Sequence, residues 1–263
     1  MSVTVFELNN ESIKGQVSEA EWQTRIDLAA CYRLVAEMGW GDLIYTHISA
    51  KVPDSEHYLV NAFGLAFEEV TASNLVKVDL QGNVQPIGER AITATINPAG
   101  FTIHSAIHEA RSDAKCVLHL HTKAMITVAS LKDGLQPWSQ YSLFSLPSLS
   151  YHDYEGLAVN DDERARLQHN LGTTNHMLLP NHGGLTLGPT VGDAFMRFYD
   201  LQRACEIQLE LMSSNREVIA IPEPIVANIY HQANVVHAGA TGGQKAWPAM
   251  LRKAWRLDPG FCQ

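Results

Sequence analysis

No run of about 18 consecutive apolar residues occurs in the 263-residue chain, which excludes a membrane-spanning helix. The opening stretch, MSVTVFELNNESIKGQ, has neither the basic start nor the apolar run of a secretory signal. Cysteine is scarce: the four residues, Cys31, Cys116, Cys205 and Cys262, are too scattered for a redox or zinc motif. A reduced, cytoplasmic protein is therefore expected. Positive charge is short as well. Nineteen Lys and Arg against 28 Asp and Glu leave a net charge of -9, so neither a nucleic acid nor a membrane surface is an expected partner. The chain has no G-x-S-x-G elbow, no phosphate-binding Walker loop and no dinucleotide-binding fingerprint. Histidine, by contrast, is plentiful, with twelve residues.

The remaining composition, 46% hydrophobic and 18% charged, is that of a globular chain long enough for one large α/β domain. Ser18-Glu19-Ala20-Glu21 has the form of a capping box, and the apolar residues from Trp22 to Met38 predict a helix ended by Gly39 and Gly41. Short apolar runs at Leu43–Tyr45, Tyr58–Val60 and Val76–Val78 predict strands of a mainly antiparallel sheet. A helix over 101–111, a strand over Lys115–Leu120, a helix over 123–131 and a loop-rich stretch over 132–160 follow. Next come a helix over Asp161–Leu171, a strand at Met177–Leu179, a turn at Pro180–Gly184 and a long amphipathic helix from Val191 to Met212. One domain is expected over 1–263. Its core is 18–238, and 239–263 forms a joint and a short helix that lines up Trp247, Leu251 and Trp255 on one apolar face.

His119-Leu120-His121 closes a strand, and side-chain alternation puts both imidazoles on one face, within reach of a single ion. His182, in a glycine-flanked turn after another buried strand, is a suitable third ligand. Buried histidines are also often merely hydrogen-bonded, and an HxH pair alone does not separate the two readings. His104 and His108 form an i, i+4 pair on the preceding helix. One is expected half-buried and the other in solvent, with His104 a relay or fourth ligand in the same cavity. Tyr141, in the loop that follows, carries a hydroxyl able to donate a proton.

Six stretches together resemble the class II aldolase/adducin family: Thr46-His47-Ile48-Ser49, Asn61-Ala62-Phe63-Gly64, Asn97-Pro98-Ala99-Gly100-Phe101, Val117 to Thr122, Tyr151-His152-Asp153-Tyr154 and Asn181-His182-Gly183. Lys77 to Asn83 and the His152-Asp153-Tyr154 element are closer to the adducin head than to the sugar-phosphate aldolases. The resemblance implies a three-layer α/β/α fold around a mainly antiparallel sheet. It implies a homotetramer of cyclic symmetry with active sites near subunit boundaries, and zinc or another divalent metal on His119, His121 and His182. It also places the aldolases' tyrosine proton donor on Tyr141 and the substrate-binding positions on His47 and Gly64.

The departures are equally informative. The family's acidic base falls on Gly100, its two phosphate-binding hydroxyl residues on Pro98 and Ala99, its small polar residue before Gly64 on Phe63, and its phosphate-binding asparagine on His47. The expected activity is therefore a metal-dependent lyase, aldolase- or decarboxylase-like, on a small non-phosphorylated hydroxy- or keto-acid. The alternative is a non-catalytic oligomerisation or cytoskeleton-binding module that keeps the metal site.

Overall fold

The computed structural model describes residues 12–87, 93–157, 161–236 and 243–263. Helix α1 (Glu19–Glu37) starts at Ser18, whose side chain accepts from the Glu21 amide. Glu21 does not close the capping box. Its carboxylate turns inward to Arg25, with Oε1 3.0 Å from Nε, and to Lys77 at 3.1 Å. Arg25 is fully buried and also donates to the carbonyls of Ala72 and Leu75. Removing one member of a buried ion pair strands the other. Arg25→Met is thus expected to lower stability by about 3 kcal/mol, read as a fall in the urea unfolding midpoint.

The sheet among the described residues has seven strands: β1 (His47–Lys51), β2 (Tyr58–Val60), β3 (Val76–Val78), β4 (Cys116–Leu120), β5 (Leu149–Tyr151), β6 (His176–Leu179) and β7 (Gly183–Gly188). Their order is β3-β2-β1-β4-β7-β6-β5, antiparallel throughout except for the parallel β5–β6 pair. One face packs on α1, α3 (Lys123–Ala129), α6 (Val191–Ser213) and α8 (Gly243–Leu257), around Ile48, Leu118, Leu178 and Phe198. The other packs on α2 (Pro98–Ala110) and α5 (Asp161–Leu171), around Ile103, Ile107, Val117, Leu167 and Leu185. This is the expected three-layer arrangement.

Several elements differ from the sequence reading. The strand expected at Leu43–Tyr45 begins at His47 instead. Leu43 adopts φ 50 in a turn and is exposed, and Tyr45 lines a cavity, so these apolar residues do not belong to a strand. Helix α2 starts at Pro98, preset for a first helical position, with Asn97 as cap. The stretch read as loop over 132–160 holds α4 (Gln140–Ser145) and β5, both too short to show a period. The turn is confined to Pro180–His182, and its two glycines already belong to β7. Helix α7 (Glu223–Val236) was not anticipated. The Gly239–Gly243 joint lies outside the described residues apart from Gly243. On α8, Trp247 and Leu251 pack within the chain, but Trp255 is 58% exposed and Ala254 takes the inward position. Steps of four drift around a helix of 3.6 residues per turn, whereas a step of seven nearly closes.

His176 on β6 is buried, and burial pushes its imidazole down to about 4, with Arg197 adding to the effect. Above pH 6.5 neither folded nor unfolded chain binds this proton; between 6.5 and 4 only the unfolded chain does. Stability should therefore fall as acid is added across that window, by about 1.4 kcal/mol per pH unit for this residue. His176→Gln should flatten the slope by that amount in urea titrations at pH 4.5 and 6.5.

Candidate active site

Pairing of β1 with β4 sets His47 opposite His119 and Ser49 opposite Val117. Because Cys116, Leu118 and Leu120 enter the core beside α1 and α6, His119 faces the α2 side, and His121 follows it just beyond the strand end. The turn before β7 is drawn against β4 by Gly183: a Cβ at that position would lie 2.5 Å from the Leu120 carbonyl oxygen. Asn181 takes the left-handed conformation at φ 60, and His182 is delivered beside His119. His119 Nε2 then lies 3.1 Å from His121 Nε2 and 3.2 Å from His182 Nε2.

The Nε2 atoms of His119 and His121 do not hydrogen-bond each other. His119 Nδ1 donates to the Gly184 carbonyl at 3.2 Å, and His121 Nδ1 donates to the Asp42 carboxylate at 3.1 Å. The protons of these two rings are thereby fixed on Nδ1, so the Nε2 lone pairs of His119 and His121 point at each other, with His182 Nε2 beside them. Burial pushes His119 well below its ordinary range and His182 to about 4, with the neighbouring histidines adding to both shifts. Converging lone pairs repel unless a cation lies among them. In a tetrahedral site with metal–nitrogen bonds near 2.0–2.1 Å the nitrogens stand roughly 3.3 Å apart, close to the spacing found. The three side chains thus fit a divalent ion. Among the described residues no fourth His, Cys, Asp or Glu joins the cluster.

The cluster opens on a cavity of about 530 Å³ lined by Asp42, Tyr45, His47, Gly100, Lys123 and Tyr154, among others. Tyr45, Tyr154 and Leu157 form an exposed apolar rim, and the Tyr154 ring lies 6.2 Å from that of His182. Behind His47 a smaller recess is lined by Thr46, Asn61, Asn97, Gly100 and His104.

The structure brings His47, His119, His121 and His182 to one cavity. His104 and His108 are both buried, contrary to the expectation of one half-buried and one in solvent. His104 is not a fourth ligand: its nitrogens are spent on His47 at 2.8 Å and Ser49 at 2.5 Å. Tyr141 lines neither cavity of its own chain and is half-buried on α4 near Tyr199. Gly64 is exposed, at φ +100, and lines neither cavity. The residues missed are Asp42, Ser49 and Tyr154. The i, i+2 spacing of His47 and Ser49 on one strand was a usable signal for Ser49. Asp42, in a turn, gave none.

Residues 26–209 match the family described as class II aldolase and adducin N-terminal domain. The chain belongs to that family. A Pseudomonas aeruginosa protein provisionally named as aldolase class 2 is 55% identical over 253 residues, 95% of this chain and 96% of that protein. Rat alpha-adducin is 46% identical over 192 residues, which cover 72% of this chain but 26% of the adducin. The structure of an L-fuculose 1-phosphate aldolase from Glaciozyma antarctica superposes with a TM-score of 0.79 at 26% identity, covering 96% of this chain and 94% of that one. Within this class II aldolase and adducin family, the glycine at position 100 acquires a physical reason. A Cβ there would fall 2.0 Å from His47 Nε2, so the imidazole occupies the space that any side chain at 100 would need.

Proposed function

We propose that the protein is a divalent-metal-dependent carbon–carbon lyase, with zinc as its metal, acting on a small non-phosphorylated hydroxy- or keto-acid in the cytoplasm. The observation that carries this reading is the convergence of three imidazole nitrogens, two of them freed of hydrogen by partners at Nδ1, at the mouth of a cavity large enough for a small acid. Three protein ligands rather than four is the pattern of catalytic zinc sites. Bound there, the ion supplies positive charge to a substrate's carbonyl and neighbouring oxygen, which stabilises the negative charge left when the carbon–carbon bond breaks. Asp42 and the Gly184 carbonyl hold two of the rings in the ligating tautomer. Lys123 at the cavity wall is placed for a carboxylate. Tyr141, which reaches neither cavity of its own chain, serves as proton donor to the site of a neighbouring subunit in a homotetramer. Light scattering should then report four copies of the 29.1 kDa chain; a stable monomer contradicts that role.

Decarboxylation of a β-keto acid suits the site because it needs a charge sink and a proton donor but no carboxylate at position 100. The test is a panel of β-keto and β-hydroxy acids offered to zinc-loaded protein, with carbon dioxide and aldehyde release monitored. Release that disappears on chelation supports the lyase.

A second reading, a non-catalytic adducin-like module that keeps the metal centre, is favoured by the 46% identity to alpha-adducin. Stoichiometric zinc with no turnover of any acid supports it instead.

A further inference from the structure

The four buried polar groups behind the metal cluster have only one consistent arrangement of hydrogens. The Ala114 carbonyl can only accept, so His108 Nδ1, 2.8 Å away, carries a proton. His108 Nε2 is then a lone pair, and the Ser49 hydroxyl donates to it at 2.7 Å. With its hydrogen spent, Ser49 Oγ accepts from His104 Nδ1. His104 Nε2 is left as an acceptor, and His47 Nδ1 donates to it at 2.8 Å. Burial holds His104 and His108 uncharged, so no extra proton breaks the sequence. A backbone carbonyl some distance from the cavity thus fixes His47 with its proton turned inward. Its Nε2 is left as a lone pair, and His47 lines the wall of the cavity.

We infer that His47 determines specificity in the proposed lyase: its Nε2 accepts a hydrogen bond from a substrate hydroxyl and disfavours a phosphate ester at the same place. This rests on the lyase reading above and deepens it. Two further observations point the same way. Thr46 Oγ1 is buried without a hydrogen-bond partner, and Thr46 lines the small recess that His47 also lines, so an unspent hydroxyl donor lies on the same side of the site. A hydroxyl, which both donates and accepts, can give its hydrogen to His47 Nε2. A phosphate monoester at neutral pH offers mostly negative oxygens, which meet a lone pair at His47. Among the described residues lining the main cavity, Lys123 is the single cation, too little for a phosphate cradle alongside a carboxylate.

Calorimetric titration of the zinc-loaded protein with glycerate, lactate and 3-phosphoglycerate tests this. The three share a 2-hydroxy acid end and differ in bearing a hydroxyl, a hydrogen or a phosphate on the third carbon. Glycerate should bind at least about 10-fold more tightly than lactate, and 3-phosphoglycerate more weakly than either. His47→Phe, which keeps a ring but no lone pair, should bring glycerate to the lactate level while retaining zinc. Should that variant fail to fold, the wild-type comparison alone decides. Equal binding of glycerate and lactate, or tightest binding of 3-phosphoglycerate, overturns the inference. Hydroxyl discrimination without carbon–carbon cleavage of any acid overturns the lyase reading while leaving the role of His47 in binding intact. Cleavage without discrimination does the reverse.

Discussion

Gly100→Ala should destabilise the protein by about 3 kcal/mol, an unusually large effect for one added methyl group. The new Cβ would sit 2.0 Å from His47 Nε2 and 2.1 Å from Cδ2 of the same ring. His47 cannot withdraw in place, because its Nδ1 is tied to His104 and its strand is paired with β4. Relief requires the ring to rotate out of the wall, which breaks the chain through Ser49 and His108. The cost should therefore nearly vanish in a His47→Ala background, leaving less than about 1 kcal/mol for the same glycine-to-alanine change. Urea unfolding of the four proteins of this cycle measures it. Additive effects would mean that the two positions do not share one space. Gly100→Glu, which restores an acid where the family carries one, should be at least as damaging and should not create phosphate aldolase activity. Wild-type protein is likewise expected to leave fuculose and ribulose phosphates intact.

His119→Ala, His121→Ala and His182→Ala should each reduce zinc from one per chain to a trace, and lyase turnover with it. Each ring contributes one Nε2 to a group whose ligand atoms lie within 4.8 Å of one another. Two remaining nitrogens hold an exchangeable ion too weakly to survive dialysis. Asp42→Ala should be milder: it frees the His121 ring to rotate and to change tautomer, lowering affinity by about 10- to 100-fold. His104→Ala should keep its zinc, since His104 contributes nothing to the cluster. Zinc retained in all three triad variants, by plasma emission analysis after dialysis, would place the metal elsewhere.

The clustering of His119, His121 and His182 was legible because the information is local. Two histidines separated by one residue on a strand must share a face, and a histidine followed by two glycines marks a tight approach. The helices were legible where a capping signal or a long period marks them, as in α1 and α6 respectively. What the sequence hid depends on contacts between distant segments. Nothing about Asp42 alone says that it holds His121, 79 positions away. Nor does the pair His104 and His108 reveal that both spend a nitrogen on Ser49 rather than on metal or water. The glycine at position 100 reads in sequence as a loss. In the fold it is half of an exchange whose other half is His47.

Turnover in deuterium oxide tests the central claim most directly. If a carbon–carbon bond is cleaved with negative charge left on carbon, the product of the reactive acid takes up deuterium at the carbon that lost its neighbour. Proton NMR of the mixture should show that single labelled position with zinc-loaded wild-type protein, and no product after chelation or with His119→Ala. Product formed equally without metal, or none from any β-keto or β-hydroxy acid while zinc stays bound one per chain, would contradict it.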